Sequence, residues 1–223
     1  MRKRTLSWIT GGIIAALLIA YCLCLPGNLF KDTAYSTVVT DRNGELLGAR
    51  IASDGQWRFP PSDTVPQKFQ TALIEFEDRW FAFHHGVNPV AIVRAAVGNI
   101  RAGRVTSGGS TITMQVIRMS RGKDRTIGQK LIESILATRL EWRCDKKEIL
   151  AMYASHAPFG GNVVGLEAAS WRYFGRPPEE LTWGEAATLA VLPNSPAEIH
   201  PGKNRDRLLA KRNRLLKTLH ERG

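Results

Sequence analysis

Eighteen consecutive residues without a charge, Trp8 to Leu25, constrain this chain more than any other feature. As a helix rising ~1.5 Å per residue they extend about 27 Å, close to the ~30 Å hydrocarbon core of a bilayer. Arg2, Lys3 and Arg4 stand in front of them, and positive flanks of this kind stay cytoplasmic, so the chain after Pro26 is expected on the outer side. No small-x-small cleavage site follows, and Tyr21 precedes Cys22 where a lipobox wants a small residue. The run therefore reads as an uncleaved single-pass anchor. The expected division is a cytoplasmic tail over 1–7, a transmembrane helix over 8–25, a linker with a β-hairpin over 26–60 and one folded domain over 61–223.

The charge then narrows the partner. Lys and Arg number 31 against 20 Asp and Glu, a net +11, which calls for something anionic. Setting aside Arg2, Lys3 and Arg4 leaves +8 on the exported part. An exported basic domain points away from nucleic acid and toward phosphate at a membrane surface. Two of the three cysteines, Cys22 and Cys24, sit inside the apolar run, so disulfides do not hold this fold.

After the anchor the pattern is briefly β, then helical. Val38 and Val39, a turn at Asn43-Gly44 with two positive φ values, and Leu46 and Leu47 predict a hairpin, with a further strand at Trp57. Phe69, Leu73, Phe76 and Trp80 share one helical face after Pro66. Asn88-Pro89 starts a helix carrying Val93, Val97 and Ile100 on one side and stopping at Gly103. Thr126 with Gln129, Asp145 with Glu148 and Thr182 with Glu185 mark three more starts, and a basic helix opens at Asn204. On the helix that starts at Thr126, Ile127, Leu131, Ile135 and Leu140 make up the apolar face. The fold class is mainly α.

Three clusters can carry chemistry. Glu77 and Asp78 lie among Phe76, Trp80 and Phe81, with His84 and His85 following; a carboxylate desolvated among aromatics is raised toward neutrality and becomes a usable general base. A solvated acidic edge has the same composition. Adjacent histidines without further ligands at metal spacing do not make a metal site. The stretch from Ser107 through Gly108, Gly109, Ser110 and Thr111 to Gln115 combines close backbone approach with a helix N-terminus able to hold phosphate, and Arg118 lies one turn further in. A hinge before an ordinary capped helix reads the same way. Lys130 and Glu133, three apart on a helix, are either a surface ion pair or a cation beside a second carboxylate.

Taken together, these blocks resemble the peptidoglycan glycosyltransferases, the family 51 glycosyltransferases. Glu77-Asp78-x-x-Phe81-x-x-His84-x-Gly86 is similar to the family's first motif, Gly108 to Gln115 to its second, Lys130-x-x-Glu133 to its third and Lys147-Glu148-Ile149-Leu150-x-x-Tyr153 to its fourth. The region from Ala168 to Pro196 is similar to the next conserved stretch, and the wording around Glu77, Met114-Gln115 and Ala157 to Gly161 is most like the 1C branch of class A penicillin-binding proteins.

The resemblance implies a lysozyme-like helical domain with a membrane-dipping part, moenomycin as an inhibitor, and lipid II and the nascent glycan strand as substrates at the bacterial inner membrane, alongside other cell-wall synthesis proteins. It implies Glu77 as general base and Glu133 as the second carboxylate. Asp78, His84, Gly109, Ser110, Thr111, Gln115, Arg118 and Lys130 become the substrate-binding set. No cofactor and no resident metal are expected, with a divalent cation at the pyrophosphate left open. Gln129 stands where many members have Arg, Ala154-Ser155 replaces the common Leu-Asn, and the 223 residues hold no transpeptidase domain. These departures define the alternative, a catalytically impaired lipid II-binding or scaffold protein.

Overall fold

The structure is a computed structural model. It describes residues 2–104, 108–124, 126–194, 196, 198–199 and 202–222, with side chains described from residue 8 onward. Ser107 of the glycine-rich stretch and the side chains of Arg2, Lys3 and Arg4 lie outside the described residues. The chain is mainly helical with two small sheets, as the periodicity predicts.

Helix α1 (Arg2–Leu23) stops two residues before the apolar run does. Leu25 is 8% exposed and joins the domain core. Arg143 donates to the Pro26 carbonyl, Arg139 to that of Cys22, and the Tyr21 hydroxyl meets Thr138 at 3.1 Å. From Trp8 the helix therefore extends only about 24 Å, and among the described residues no helix is long and apolar enough to cross a membrane. The expected spanning helix over 8–25 is corrected accordingly: the folded domain takes the end of the run for itself.

Strands β1 (Thr37–Thr40) and β2 (Leu46–Arg50) pair antiparallel as predicted. Their turn differs, for only Gly44 has positive φ (+89°) while the Asp41 carboxylate accepts from the N–H groups of Asn43 and Glu45. An Asx-type bond thus replaces the second positive φ. Strand β3 (Trp57–Arg58) leaves the hairpin and pairs parallel with β5 (Val163–Val164), which also pairs antiparallel with β4 (Pro158–Gly160).

The core is helical. Helix α2 (Gln67–Glu77) buries Phe69, Ala72 and Leu73 and packs on α8 (Trp183–Val191), which in turn packs on α9 (Arg205–Glu221). Helix α2 ends at Glu77 with Asp78 as its C-cap, one turn earlier than its apolar spacing suggests, so Trp80 lies outside it and half exposed. Helix α4 (Ile112–Arg121) packs against both α5 (Ile127–Glu141) and α6 (Lys146–His156). The start signals are local and hold: Asn88 caps α3 (Pro89–Ala102), Thr126 caps α5, and Asp145 and Thr182 form complete capping boxes on α6 and α8. Helix α7 (Leu166–Phe174) closes the domain beside the small sheet.

Two helices carry apolar side chains outward, although Leu140 of the apolar α5 face is buried. Ile127, Leu131 and Ile135 of α5 are 91%, 68% and 49% exposed, whereas Glu133, Leu136 and Ala137 are buried. On α3, Val93, Val97 and Ile100 are likewise exposed. Both helices are amphipathic, but the inward stripe is the one with partners waiting for it.

Candidate active site

Helix α4 is the frame of the site. Gln115 and Arg118 are three residues apart, so both project from one side of it. The Gln115 side-chain N–H donates to Glu77 Oε2 at 2.7 Å, reaching the last residue of α2. Arg118 donates through Nη2 to Glu133 Oε2 at 2.7 Å and through Nε to Oε1 at 3.1 Å, gripping α5 in a fork. The same Nη2 also donates to Ser110 Oγ at 3.2 Å. The two carboxylates separated by 56 positions in sequence are thereby set along one stripe of α4.

Their settings differ. Glu133 is 2% exposed and fully committed to Arg118, whereas Glu77 is half-buried. Because each Glu133 oxygen takes a guanidinium N–H, the group is built as an ion pair rather than as a ligand for a divalent cation. Lys130 is half-buried one turn before Glu133 and makes no ion pair among the described residues, so the third motif does not form an internal salt bridge.

The remaining motif residues hold the frame. Asp78 is buried; His84 Nε2 lies 2.9 Å from its Oδ2, and the Ile112 N–H donates to the same oxygen at 3.1 Å. That carboxylate thus fastens the end of α2 to the start of α4, satisfying an N-terminal amide that the helix leaves open. Thr111 caps α4 by accepting from Met114 and donates its own proton to the Gly86 carbonyl at 2.6 Å. Gly86 has φ +84°, and a Cβ there would lie 2.5 Å from the Ala137 carbonyl carbon. Gly109 lies against α3, where a Cβ would come within 2.7 Å of Ile92 Cα. Asp78, Thr111 and Gly109 therefore act on neighbouring backbone and His84 on the Asp78 carboxylate, while Gln115, Arg118, Glu77 and Glu133 form the polar stripe and Ser110 its edge.

Sequence reasoning left four nearby residues out of its site set. Glu141 accepts from Thr113 Oγ1 at 2.5 Å and from Lys146 Nζ at 2.7 Å, and Lys146 also donates to the His84 carbonyl, a buried brace below the stripe. Tyr153 on α6 is 1% exposed; burial first, and the Glu77 charge second, push its phenol well above the usual value. Lys211 on α9 donates to Asn194 Oδ1 at 2.8 Å. Burial and Arg207 lower its ammonium, while the charges of Glu77 and Glu198 act in the opposite sense. Glu77 is therefore felt by a phenol from one side and a cation from another. Only Tyr153 had a sequence signal, its place in the fourth motif. A separate cavity of about 890 Å³, lined by Phe30, Tyr35, Arg143 and His156 among others, contains none of the stripe residues.

Residues 43–220 match the model of the family described as Transglycosylase. The chain belongs to the transglycosylase family. This transglycosylase is 43% identical over 187 residues to penicillin-binding protein 1C of Escherichia coli, covering 83% of the chain and 24% of that relative. It is 42% identical over 221 residues to penicillin-binding protein 1A of Aquifex aeolicus, covering 95% and 30%. The chain thus spans under a third of the length of these curated relatives. Penicillin-binding protein 1A from Haemophilus influenzae, a crystal structure at 21% identity, superposes over 82% of this chain and 18% of its own with a TM-score of 0.43.

Proposed function

We propose that this transglycosylase polymerises lipid II into glycan strands with release of undecaprenyl pyrophosphate. The observation that carries the reading is the α4 stripe, which holds a hydrogen-bonded, half-buried Glu77 in line with the Arg118–Glu133 pair. Glu77 takes the proton of the acceptor sugar's 4-hydroxyl, the freed oxygen attacks C1 of the growing strand, and the bond from C1 to the pyrophosphate oxygen breaks with inversion. Gln115 keeps the carboxylate aimed. Arg118, held in place by Glu133, and Lys130, which makes no ion pair among the described residues, meet the charge that develops on the departing pyrophosphate. Glu133 serves as an orienting carboxylate in this scheme, not as an acid. Two carboxylates brought onto one stripe of a helical domain support the lysozyme-like reading.

A lipid-linked substrate needs a membrane within reach, and the exposed apolar surface supplies the contact. Trp8, Leu17 and Leu23 of α1 are 82%, 65% and 77% exposed, and the outward faces of α3 and α5 are apolar as well. Apolar area of this extent marks contact with lipid or protein. We place the domain on the outer face of the cytoplasmic membrane, its helices α1, α3 and α5 toward the lipid.

The test is incubation of the purified chain with labelled lipid II, with and without moenomycin. Moenomycin-sensitive polymer is expected from the wild type, and Glu77→Gln should reduce it at least ~10²-fold, the scale of losing a general base. Full activity in Glu77→Gln overturns the assignment. Lipid II binding without polymer would instead favour the scaffold reading that Gln129 and Ala154-Ser155 suggest.

A further inference from the structure

A cavity of about 330 Å³ lies where the end of α1 meets α4 and α5, at the small end of the ~300–1,000 Å³ that ligand pockets occupy. Leu25, Leu29, Ile117, Ile132 and Leu136 make it apolar, and none of the stripe residues lines it. Ile132 is 41% exposed and three positions before Ile135, so the lining continues onto the outward apolar side of α5. One charge stands in this setting. Arg121, the last residue of α4, lines the cavity, and its Nη1 is shielded from solvent with no hydrogen-bond partner among the described residues. The helix end does not occupy it, for the Gly122 N–H already takes the Arg118 carbonyl. No carboxylate lines the cavity, and the Ser120 hydroxyl donates its proton to the Ile117 carbonyl at 2.9 Å. A dry, unmatched guanidinium N–H opposes folding unless an anionic acceptor meets it.

We infer that this joint is a binding site for one anionic phospholipid, with an acyl chain in the cavity and the phosphodiester accepting from Arg121. The inference rests on the placement of α1, α3 and α5 toward the lipid. A planar fork of N–H donors suits phosphate, and apolar walls beside it select a ligand that carries hydrocarbon next to its charge. Charge separates this ligand from the substrate: a single cation matches the single charge of a phosphodiester, whereas a pyrophosphate carries more and meets Arg118 and Lys130 elsewhere. A chain seated here ties the end of α1 to α4, the helix that carries Gln115 and Arg118.

The experiment reconstitutes the chain in vesicles of phosphatidylcholine, or of phosphatidylcholine and phosphatidylglycerol in equal parts, extracts it in mild detergent and counts bound lipids by native mass spectrometry. Wild type should retain one phosphatidylglycerol and no phosphatidylcholine. Arg121→Gln should retain about ten-fold less, and so should Ile132→Trp, which keeps the charge and fills the cavity. Arg101→Gln, which removes an exposed cation of α3, should bind as the wild type does. Phosphatidylglycerol should raise the melting temperature of the detergent-solubilised wild type, and inorganic phosphate should not. Without lipid, Arg121→Gln should melt at or above the wild-type temperature, since it gives up no partner. Equal retention of both lipids, full retention by Arg121→Gln, an equal loss in Arg101→Gln, or a lowered melting temperature of lipid-free Arg121→Gln overturns the proposal. So does an equal effect of inorganic phosphate, or Arg121-dependent replacement of phosphatidylglycerol by lipid II. A chain that floats with neither vesicle overturns the placement against lipid and this site with it; one that floats with both yet keeps no phosphatidylglycerol overturns the site alone.

Discussion

Replacing Glu133 with Gln removes one charge from a nearly dry pair while keeping its shape. Arg118 and Glu133 side chains are 17% and 3% exposed, and their shortest contact is 2.7 Å. At an effective dielectric constant of ~20, unit charges at that distance attract by about 6 kcal/mol, much of it offset by the desolvation both groups suffer. Breaking such a pair from one side leaves the guanidinium largely buried without its counter-charge, and about 3 kcal/mol of stability should go with it. For a chain of this size that corresponds to roughly 6–12 °C in melting temperature. Thermal unfolding followed by circular dichroism reads it. The decisive variant is the double one: Arg118→Met with Glu133→Leu removes both charges and should recover most of the lost stability while remaining inactive on lipid II. If Glu133→Gln melts within about 2 °C of wild type, or if the double variant is as unstable as its two single changes added together, the pair is not the desolvated clamp described above.

Two further outcomes follow from other parts of the fold. Gly109→Ala would place a methyl 2.7 Å from Ile92 Cα and 3.0 Å from the Ala91 carbonyl oxygen, backbone atoms that cannot rotate away. It should cost about 1–3 kcal/mol and several-fold in polymerisation, and an unaltered melting temperature would contradict the close approach. His156 stacks on Phe30 at 3.5 Å and meets the Tyr35 hydroxyl at 3.0 Å, and burial, with Arg58 acting in the same sense, lowers its pKa. The unfolded chain then takes up the proton more readily, so stability is full above about pH 6.5 and declines as the pH falls from there through the lower folded value. His156→Gln should flatten that acid slope in denaturant melts; a slope equal to wild type's would argue against burial as the cause.

What could be read from the sequence was whatever is settled within a few residues. The caps at Asn88, Thr126, Asp145 and Thr182 need only their own first turn, and each forms as read. The β1–β2 hairpin was legible for the same reason, though not its turn, because the Asp41 side chain supplied bonds that dipeptide rules do not count. Pairing of Trp57 with Val163 joins strands more than a hundred residues apart, and nothing local announces it. Which side of α5 turns inward was not legible: periodicity marks its apolar residues, yet the structure buries Leu140 and leaves Ile127, Leu131 and Ile135 outside. Glu133 could turn inward only because Arg118, fifteen positions earlier, was there to neutralise it. Likewise the motif resemblance gathered Glu77, Gln115, Arg118 and Glu133, but could not separate them from Asp78, His84, Thr111 and Gly109, whose polar groups or backbone are spent on fastening helices.

The joint between α1 and α5 sets how the enzyme is mounted. Tyr21 with Thr138, Arg139 with the Cys22 carbonyl, Arg143 with the Pro26 carbonyl and the seated Leu25 leave the domain no slack. A domain on a loose leash would wander in height and tilt, and under the proposed function its site would meet a lipid-linked sugar only in passing. Here α1 is a bracket, and any tilt it adopts is handed straight to α5 and so to Glu133 and the guanidinium it steers. Under the proposed polymerisation, the direction in which a strand leaves the site is then set relative to the axis of α1, as a nozzle is set by its mounting.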